Sequence, residues 1–233
     1  MLPIIYRDNY LVAINKPHGL LVHQSPIARN ADEFAVQLLR DQIGMHVTPA
    51  HRLDRKTGGV LLFTLKKEVN SLMQMQFQEQ KVKKTYHAIV RGYTPESGTI
   101  DYALRRDDGK LQDAITHYKT LAHGEIDVPL GKFQTSRYSL VEAKPETGRM
   151  HQLRKHFAHI HHPIIADRAH GCNKQNRMFK QKWTMDTMLL HATTLDFSHP
   201  ITKEQICIKA GFQDEFTRML NFLNLKDEIV STL

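Results

Sequence analysis

Segments with strand character outnumber helical ones in this chain and often follow one another directly. That order constrains the fold more than any other feature. "PIIYRDNYLVAINKPHG" near the start reads as two short strands joined by a turn at Asp8-Asn9 and closed by Pro17 and Gly19. A strand over 60–65 follows, then "KVKKTYHAIVRG" with a basic beginning, and further strands over 99–104, 115–121, 137–143, 189–197 and 205–209. Helical spacing appears over 30–43, where Asn30 and Glu33 resemble a capping pair and Phe34, Leu38 and Leu39 share a face. It recurs at Val69, Leu72, Met73 and Phe77, at Met150, Leu153, Phe157 and Ile160 on a helix over 149–160, and at Phe216, Met219, Leu220 and Leu223. The pattern predicts an α+β fold, with a mixed, largely antiparallel sheet flanked by helices, over a parallel βαβ sandwich. "GCNKQNRMFKQKW", 171–183, reads as a surface loop, solvated or in contact with RNA, and "RRDDGKLQD", 105–113, as a mixed-charge stretch without a role. No repeat or linker divides the chain, so residues 1–233 are read as one domain.

The net charge of +8 and isoelectric point near 9.4 imply a polyanionic partner. RNA or DNA is favoured over membrane, because no basic amphipathic helix or polybasic tail stands out. Cys172 and Cys207 are too few for a disulfide framework and form no C-x-x-C pair, which fits a reducing cytoplasm. No secretory leader or membrane-length apolar run is visible.

"AHRLDRKTGG", 50–59, sets one acid among bases. Asp54 has Arg52 before it, Arg55 and Lys56 after it, and His51 close by; Gly58 and Gly59 then release the chain into Val60–Phe63. A surface ion pair with Arg55 is the bland reading. Against it stands position: a loop feeding a wholly apolar strand puts its side chains at a sheet edge, and paired glycines permit a sharp turn and close backbone approach. Beside an arginine such an acid stays ionised, as a nucleophile or base requires. Arg154, at the border of the apolar stripe on the helix over 149–160, is the arginine best placed to need an acid.

The histidines of "HFAHIHHP" invite a metal reading, and His156 and His159 could share a helix face. No acid or cysteine stands at ligand spacing beside them, so no metal is expected. Phosphate-binding loops, dinucleotide fingerprints and a G-x-S-x-G elbow are absent, and the Asp54 neighbourhood supplies one carboxylate where a glycosidase needs two.

"HRLDRKTGGVLLF" is similar to the H-R-L-D-x-x-T-S/G-G-L/V-L-L signature of the RluA-type pseudouridine synthases. "VAINKPHGLLVH" resembles the family's first motif, "KKTYHAIVRG" its K-x-Y segment, "TGRMHQLRKHFAHIHHPIIAD" its T-G-R-x-H-Q-L/I-R segment with the following H-P-I-x-x-D, and "LLHATTLDFSHP" its L-H-A segment. The likeness runs from about residue 4 to about residue 210, with Gly58 standing where serine is usual.

The resemblance implies the pseudouridine synthase fold over the whole chain and an enzyme that detaches uracil from ribose C1′, turns it and rejoins it through C5, without a cofactor. Asp54 matches the essential aspartate, which attacks sugar or base or removes the C2′ proton. Tyr86 matches the tyrosine that packs on the target uracil, Arg154 the basic partner of the aspartate, and Arg52 the arginine that fills the gap left by the flipped nucleotide. Arg55, Lys56, Lys81, Lys83 and Lys84 are expected along the RNA phosphates. The first motif begins by residue 12, so the S4-type domain of many rRNA-modifying relatives is expected to be absent. The compact layout is most similar to members that modify uridine 65 of tRNA, with an rRNA-modifying relative or a binding-only RNA protein as alternatives. A monomeric, cytoplasmic enzyme is the expectation.

Overall fold

The computed structural model describes residues 1–23 and 33–225. Its elements, in order, are β1 (Ile4–Arg7), β2 (Leu11–Lys16), α1 (Ala35–Ile43), β3 (Thr48–Pro49), β4 (Gly58–Thr64) and α2 (Lys67–Gln78). Then come β5 (Lys83–Arg91), β6 (Ser97–Asp101), β7 (Leu104–Arg105), β8 (Leu111–Gln112), β9 (Ile115–Ile126) and β10 (Ser136–Pro145). Helices α3 (Gln152–His159) and α4 (Asn173–Trp183), strands β11 (Leu190–Ser198) and β12 (Gln205–Lys209), and helix α5 (Asp214–Phe222) complete them. The fold class is α+β as predicted, with antiparallel pairing between β1 and β2, β2 and β4, β5 and β10, β9 and β10, β6 and β9, and β11 and β12.

Contacts group the chain into two compact units, Met1–Lys84 with Ala192–Gly211, and Thr85–His191 with the chain from Phe212. In the first unit the strand order is β1-β2-β4-β11, with β12 on β11 and β3 on β4. Asp8 sets the β1–β2 turn as expected of an Asp-Asn pair: its Oδ1 accepts the N–H groups of Tyr10 and Leu11, each at 2.7 Å. All seven residues of β4 are buried, which explains why it reads as a continuous apolar run without alternation. Leu11, Ala13, Val60 and Leu62 pack with Val69 and Met73 of α2 and with Leu195, Phe197 and Ile208.

The second unit orders its sheet β5-β10-β9-β6 and adds the β7–β8 hairpin. Two-residue periodicity divides its strands between two faces. Ile89, Tyr138 and Leu140 pack with Met178 and Phe179 of α4 and with Phe216, Met219 and Leu220 of α5. Ala88, Val90, Val141 and Ala143 pack with Leu153 and Phe157 of α3.

Four expectations need correction or bounding. Residues 171–183 are not a loop: Gln175, Met178 and Phe179 are buried on one side of α4. The helix expected over 149–160 begins only at Gln152, because His151 takes a left-handed backbone (φ 57°), and Met150 is 46% exposed rather than part of the apolar stripe. The strand expected over 99–104 divides into β6 and β7. Helix α1 starts after Phe34, which provides no side-chain cap; the Asn30 of the expected capping pair lies outside the described residues.

Candidate active site

In the first unit, two sequence motifs are laced together through main-chain atoms. Gly19 N–H donates to the Arg55 carbonyl at 2.9 Å, and Arg55 Nε returns a bond to the Gly19 carbonyl at 2.9 Å. His18 Nδ1 donates to the Lys56 carbonyl at 2.7 Å. Lys16, fully buried, sends its ammonium to three carbonyls: Leu20 at 2.9 Å, Pro17 at 3.0 Å and Arg55 at 3.2 Å. The N-K-P-x-G segment is therefore the support of the H-R-L-D loop.

Inside that loop Thr57 N–H donates to the Asp54 carbonyl at 3.0 Å, closing a turn that leaves Asp54 half-buried between buried Leu53 and Thr57. Burial lowers the Lys16 ammonium to about 7, and the negative charge of Asp54 works against that fall. Lys16 is inconspicuous in the sequence, because a lysine at a strand end before proline looks like a terminator. The signal was present: a Lys inside the otherwise buried "LVAINK" needs acceptors.

His51 fixes the other end of the loop. Its Nε2 accepts the Leu62 N–H of β4 at 3.1 Å, so the neutral ring carries its proton on Nδ1, and Phe77 packs against it at 5.3 Å. Burial, and then the charge of Lys84, push the ring down to about 4. The unfolded state takes up this proton near 6.5, so the stabilisation is complete above that pH and is lost as pH falls toward 4. About 3 kcal/mol is expected to go over that window. A urea midpoint that moves equally in wild type and His51→Gln between pH 7 and pH 4.5 would contradict this.

Arg52, Arg55 and Lys83 are exposed, and Lys56 and Lys84 are partly so. Burial lowers Lys84 to about 8, which keeps it mostly charged at neutral pH. Arg52, Asp54, Arg55 and Lys56 thus share one loop, with Lys83 and Lys84 at the end of the same unit.

Tyr86 and Arg154 belong to the second unit. Tyr86 stands opposite Ala143 in the β5–β10 register and packs on the cluster that holds Leu153 and Phe157 of α3. Arg154 is 8% exposed and forms a forked pair with Asp167, itself 1% exposed: Nε to Oδ2 and Nη2 to Oδ1, both 2.8 Å. Burial raises the Asp167 carboxyl, but bonds from Arg154 and the N–H groups of Ala169 and His170 outweigh it and hold it below the usual carboxylate range. Asp167 ends the H-P-I-x-x-D motif, and its separation of thirteen residues from Arg154 matches no helical or strand spacing, so the pair is not legible in the sequence. Asp167→Asn leaves a buried guanidinium facing an amide and is expected to cost about 3 kcal/mol by urea denaturation. An unchanged midpoint would show the pair to be dispensable.

The "TGRMHQ" run is tied together at the start of α3 through the Gln152 side chain. Thr147 Oγ1 and Arg149 N–H donate to Gln152 Oε1 at 2.6 and 3.0 Å, while Gln152 Nε2 reaches the Ile115 carbonyl at 2.9 Å. The histidines of α3 are likewise engaged. His156 bonds Thr116 Oγ1 and the Tyr102 carbonyl, each at 3.0 Å, and His159 stacks on Tyr102 with ring centres 3.7 Å apart. Among the described residues no three His, Cys, Asp or Glu side chains converge as metal ligands, and no helix is long and apolar enough to cross a membrane.

The family model described as RNA pseudouridylate synthase matches residues 10–159, and the chain belongs to that family of isomerases, which convert uridine in RNA to pseudouridine. It is 46% identical over 240 residues to the tRNA pseudouridine synthase C of Vibrio parahaemolyticus, covering 98% of each chain. It is 49% identical over 221 residues to the protein of the same name from Vibrio vulnificus, covering 90% of each. Among solved structures, human RNA Pseudouridylate Synthase Domain Containing 1 has a TM-score of 0.74 at 22% identity, covering 97% of this chain and 96% of that one, a likeness of fold.

Proposed function

We propose that this enzyme isomerises uridine to pseudouridine in tRNA, at position 65, with Asp54 as the reacting carboxylate. The observation that carries the chemistry is the turn at Asp54, fixed by main-chain bonds to the Lys16–Leu20 segment and set beside a buried ammonium. The tRNA substrate is supported by the names of relatives that align over nearly the whole chain.

In the reaction the C1′–N1 bond breaks, the base turns, a C1′–C5 bond forms, the C5 proton leaves and N1 gains one, so the atoms balance without a co-reactant. Asp54 acts on the ribose or base; Tyr86 packs on the uracil and assists loss of the C5 proton; Arg154 serves as the cationic partner of the carboxylate. A uridine in a stem must first leave its stack, at a cost of about a few kcal/mol. Arg52, exposed beside Asp54, offsets part of that cost by filling the vacancy. Arg55, Lys56, Lys83 and Lys84 supply positive charge along the phosphates, giving affinity without base specificity. No cofactor or metal has a part in this scheme, and the chain is taken as a single catalytic domain, monomeric and cytoplasmic.

The test is to incubate the protein with unmodified tRNA and ribosomal RNA transcripts and map pseudouridine at single-nucleotide resolution. Product at uridine 65 of the tRNA is expected. Product confined to ribosomal RNA would overturn the tRNA assignment.

A further inference from the structure

Half of the chain's net positive charge sits outside the Asp54 loop, between residues 168 and 186: Arg168, Lys174, Arg177, Lys180 and Lys182 against the single acid Asp186. Four of those cations lie on α4, a helix with no acidic residue, and all four are exposed. Lys174, Arg177 and Lys180 follow one another at three-residue intervals, a stripe about 9 Å long on one side of the helix. Asp186 lies 3.3 Å from Arg168 and, more loosely, 3.9 Å from Lys180. Among the described residues Lys174 and Arg177 have no acidic partner. Like charges at this spacing weaken a helix, so α4 must be held from its other side.

That side is bonded to the segment carrying Asp167. Asn176 Oδ1 accepts the Ala166 N–H at 2.9 Å, and Asn176 Nδ2 donates to the Asp167 carbonyl at 2.7 Å. Tyr138 Oη donates to Gln175 Oε1 at 3.0 Å, and Met178 and Phe179 enter the core. The helix is a rigid mount for a row of cations, pinned to the residue pair Asp167–Arg154.

We infer that the exposed stripe of α4, led by Lys174 and Arg177, is a binding surface for the phosphate backbone of the RNA substrate, separate from the Asp54 loop. This rests on the tRNA reading above. It assigns to α4 affinity without chemistry, since a phosphate contact positions a nucleic acid and leaves the reacting atoms untouched.

The experiment is equilibrium binding of an unmodified tRNA transcript with uridine at position 65 across a salt series. It compares wild type, Lys174→Gln with Arg177→Gln, and a control pair, Lys119→Gln with Lys132→Gln, that removes the same charge elsewhere. The α4 pair is expected to bind severalfold more weakly at low salt and to lower the slope of log affinity against log salt by about 2. Its thermal midpoint and its turnover at saturating RNA should match wild type. A slope unchanged by the α4 pair, or changed equally by the control pair, would overturn the inference. Pseudouridine formation by wild type on the same transcript is scored separately: no product together with the expected slope change would sink the tRNA reading and leave α4 as an RNA phosphate site.

Discussion

Asp54→Asn is expected to lower pseudouridine formation by at least about 10^3-fold, the scale on which a positioned base or nucleophile acts, while tRNA binding and the thermal midpoint change little. Asparagine has the same shape, and the turn depends on the Asp54 carbonyl accepting Thr57 N–H, which the substitution preserves. Three bonds that hold Lys16 run to the carbonyls of Pro17, Leu20 and Arg55, which the substitution leaves in place. What disappears is the negative charge, which in wild type also favours the charged form of Lys16. Single-turnover assays with excess enzyme separate this from weakened binding. A variant that makes product within tenfold of wild type would remove Asp54 from the chemistry, and one that no longer binds tRNA would assign it to recognition instead.

Gly59→Ala is expected to be the most damaging single substitution for folding, costing more than about 4 kcal/mol. Gly59 has φ of 109°, a conformation that side-chain-bearing residues rarely adopt. A Cβ built there would lie 2.1 Å from the Ala192 carbonyl oxygen and 2.7 Å from its nitrogen, all backbone atoms that no rotamer change can move aside. Relief requires β4 and β11, neighbours in the first unit, to part at the end nearest the Asp54 loop. Gly58 is different: it has no positive φ, and Gly58→Ser, which restores the residue usual in the family, is expected to stay within about 1 kcal/mol of wild type. Urea midpoints of the two variants test the contrast. A soluble Gly59→Ala protein with a wild-type midpoint would show that the strands accommodate a methyl group.

Legibility in the sequence varied with the kind of interaction. β12 appears over the predicted residues 205–209, and β4 differs from its predicted 60–65 by a shift of two residues at its start, because apolar runs bounded by polar punctuation carry their own limits. Helix α3 was misjudged at its beginning, since nothing in "GRMH" announces a left-handed His151. Helix α4 reads as a loop in the sequence because its apolar side is narrow. Met178, Phe179 and Trp183 are few among Lys, Gln, Asn and Arg, though Phe179 and Trp183 at four-residue spacing, with rings 4.9 Å apart, were a usable sign. The Asp54 loop stood out through its charge pattern. Its supports, Lys16 and His51, act on main-chain groups, and their partners cannot be read from side-chain identities. Arg154 was singled out as an arginine in need of an acid. Within its own unit that need is met by Asp167, brought close by the fold between α3 and α4.

The attachment of Lys16 has an evolutionary corollary. Its ammonium donates to the peptide oxygens of Pro17, Leu20 and Arg55, so the side chain at Leu20 can be exchanged while these bonds to the loop survive. The residue at position 20 can thus vary without loosening the turn that carries the acid. Position 16 itself has no such latitude, since a shorter or uncharged replacement would take this donor from the Pro17 and Leu20 carbonyls and leave the Arg55 carbonyl with the Gly19 N–H.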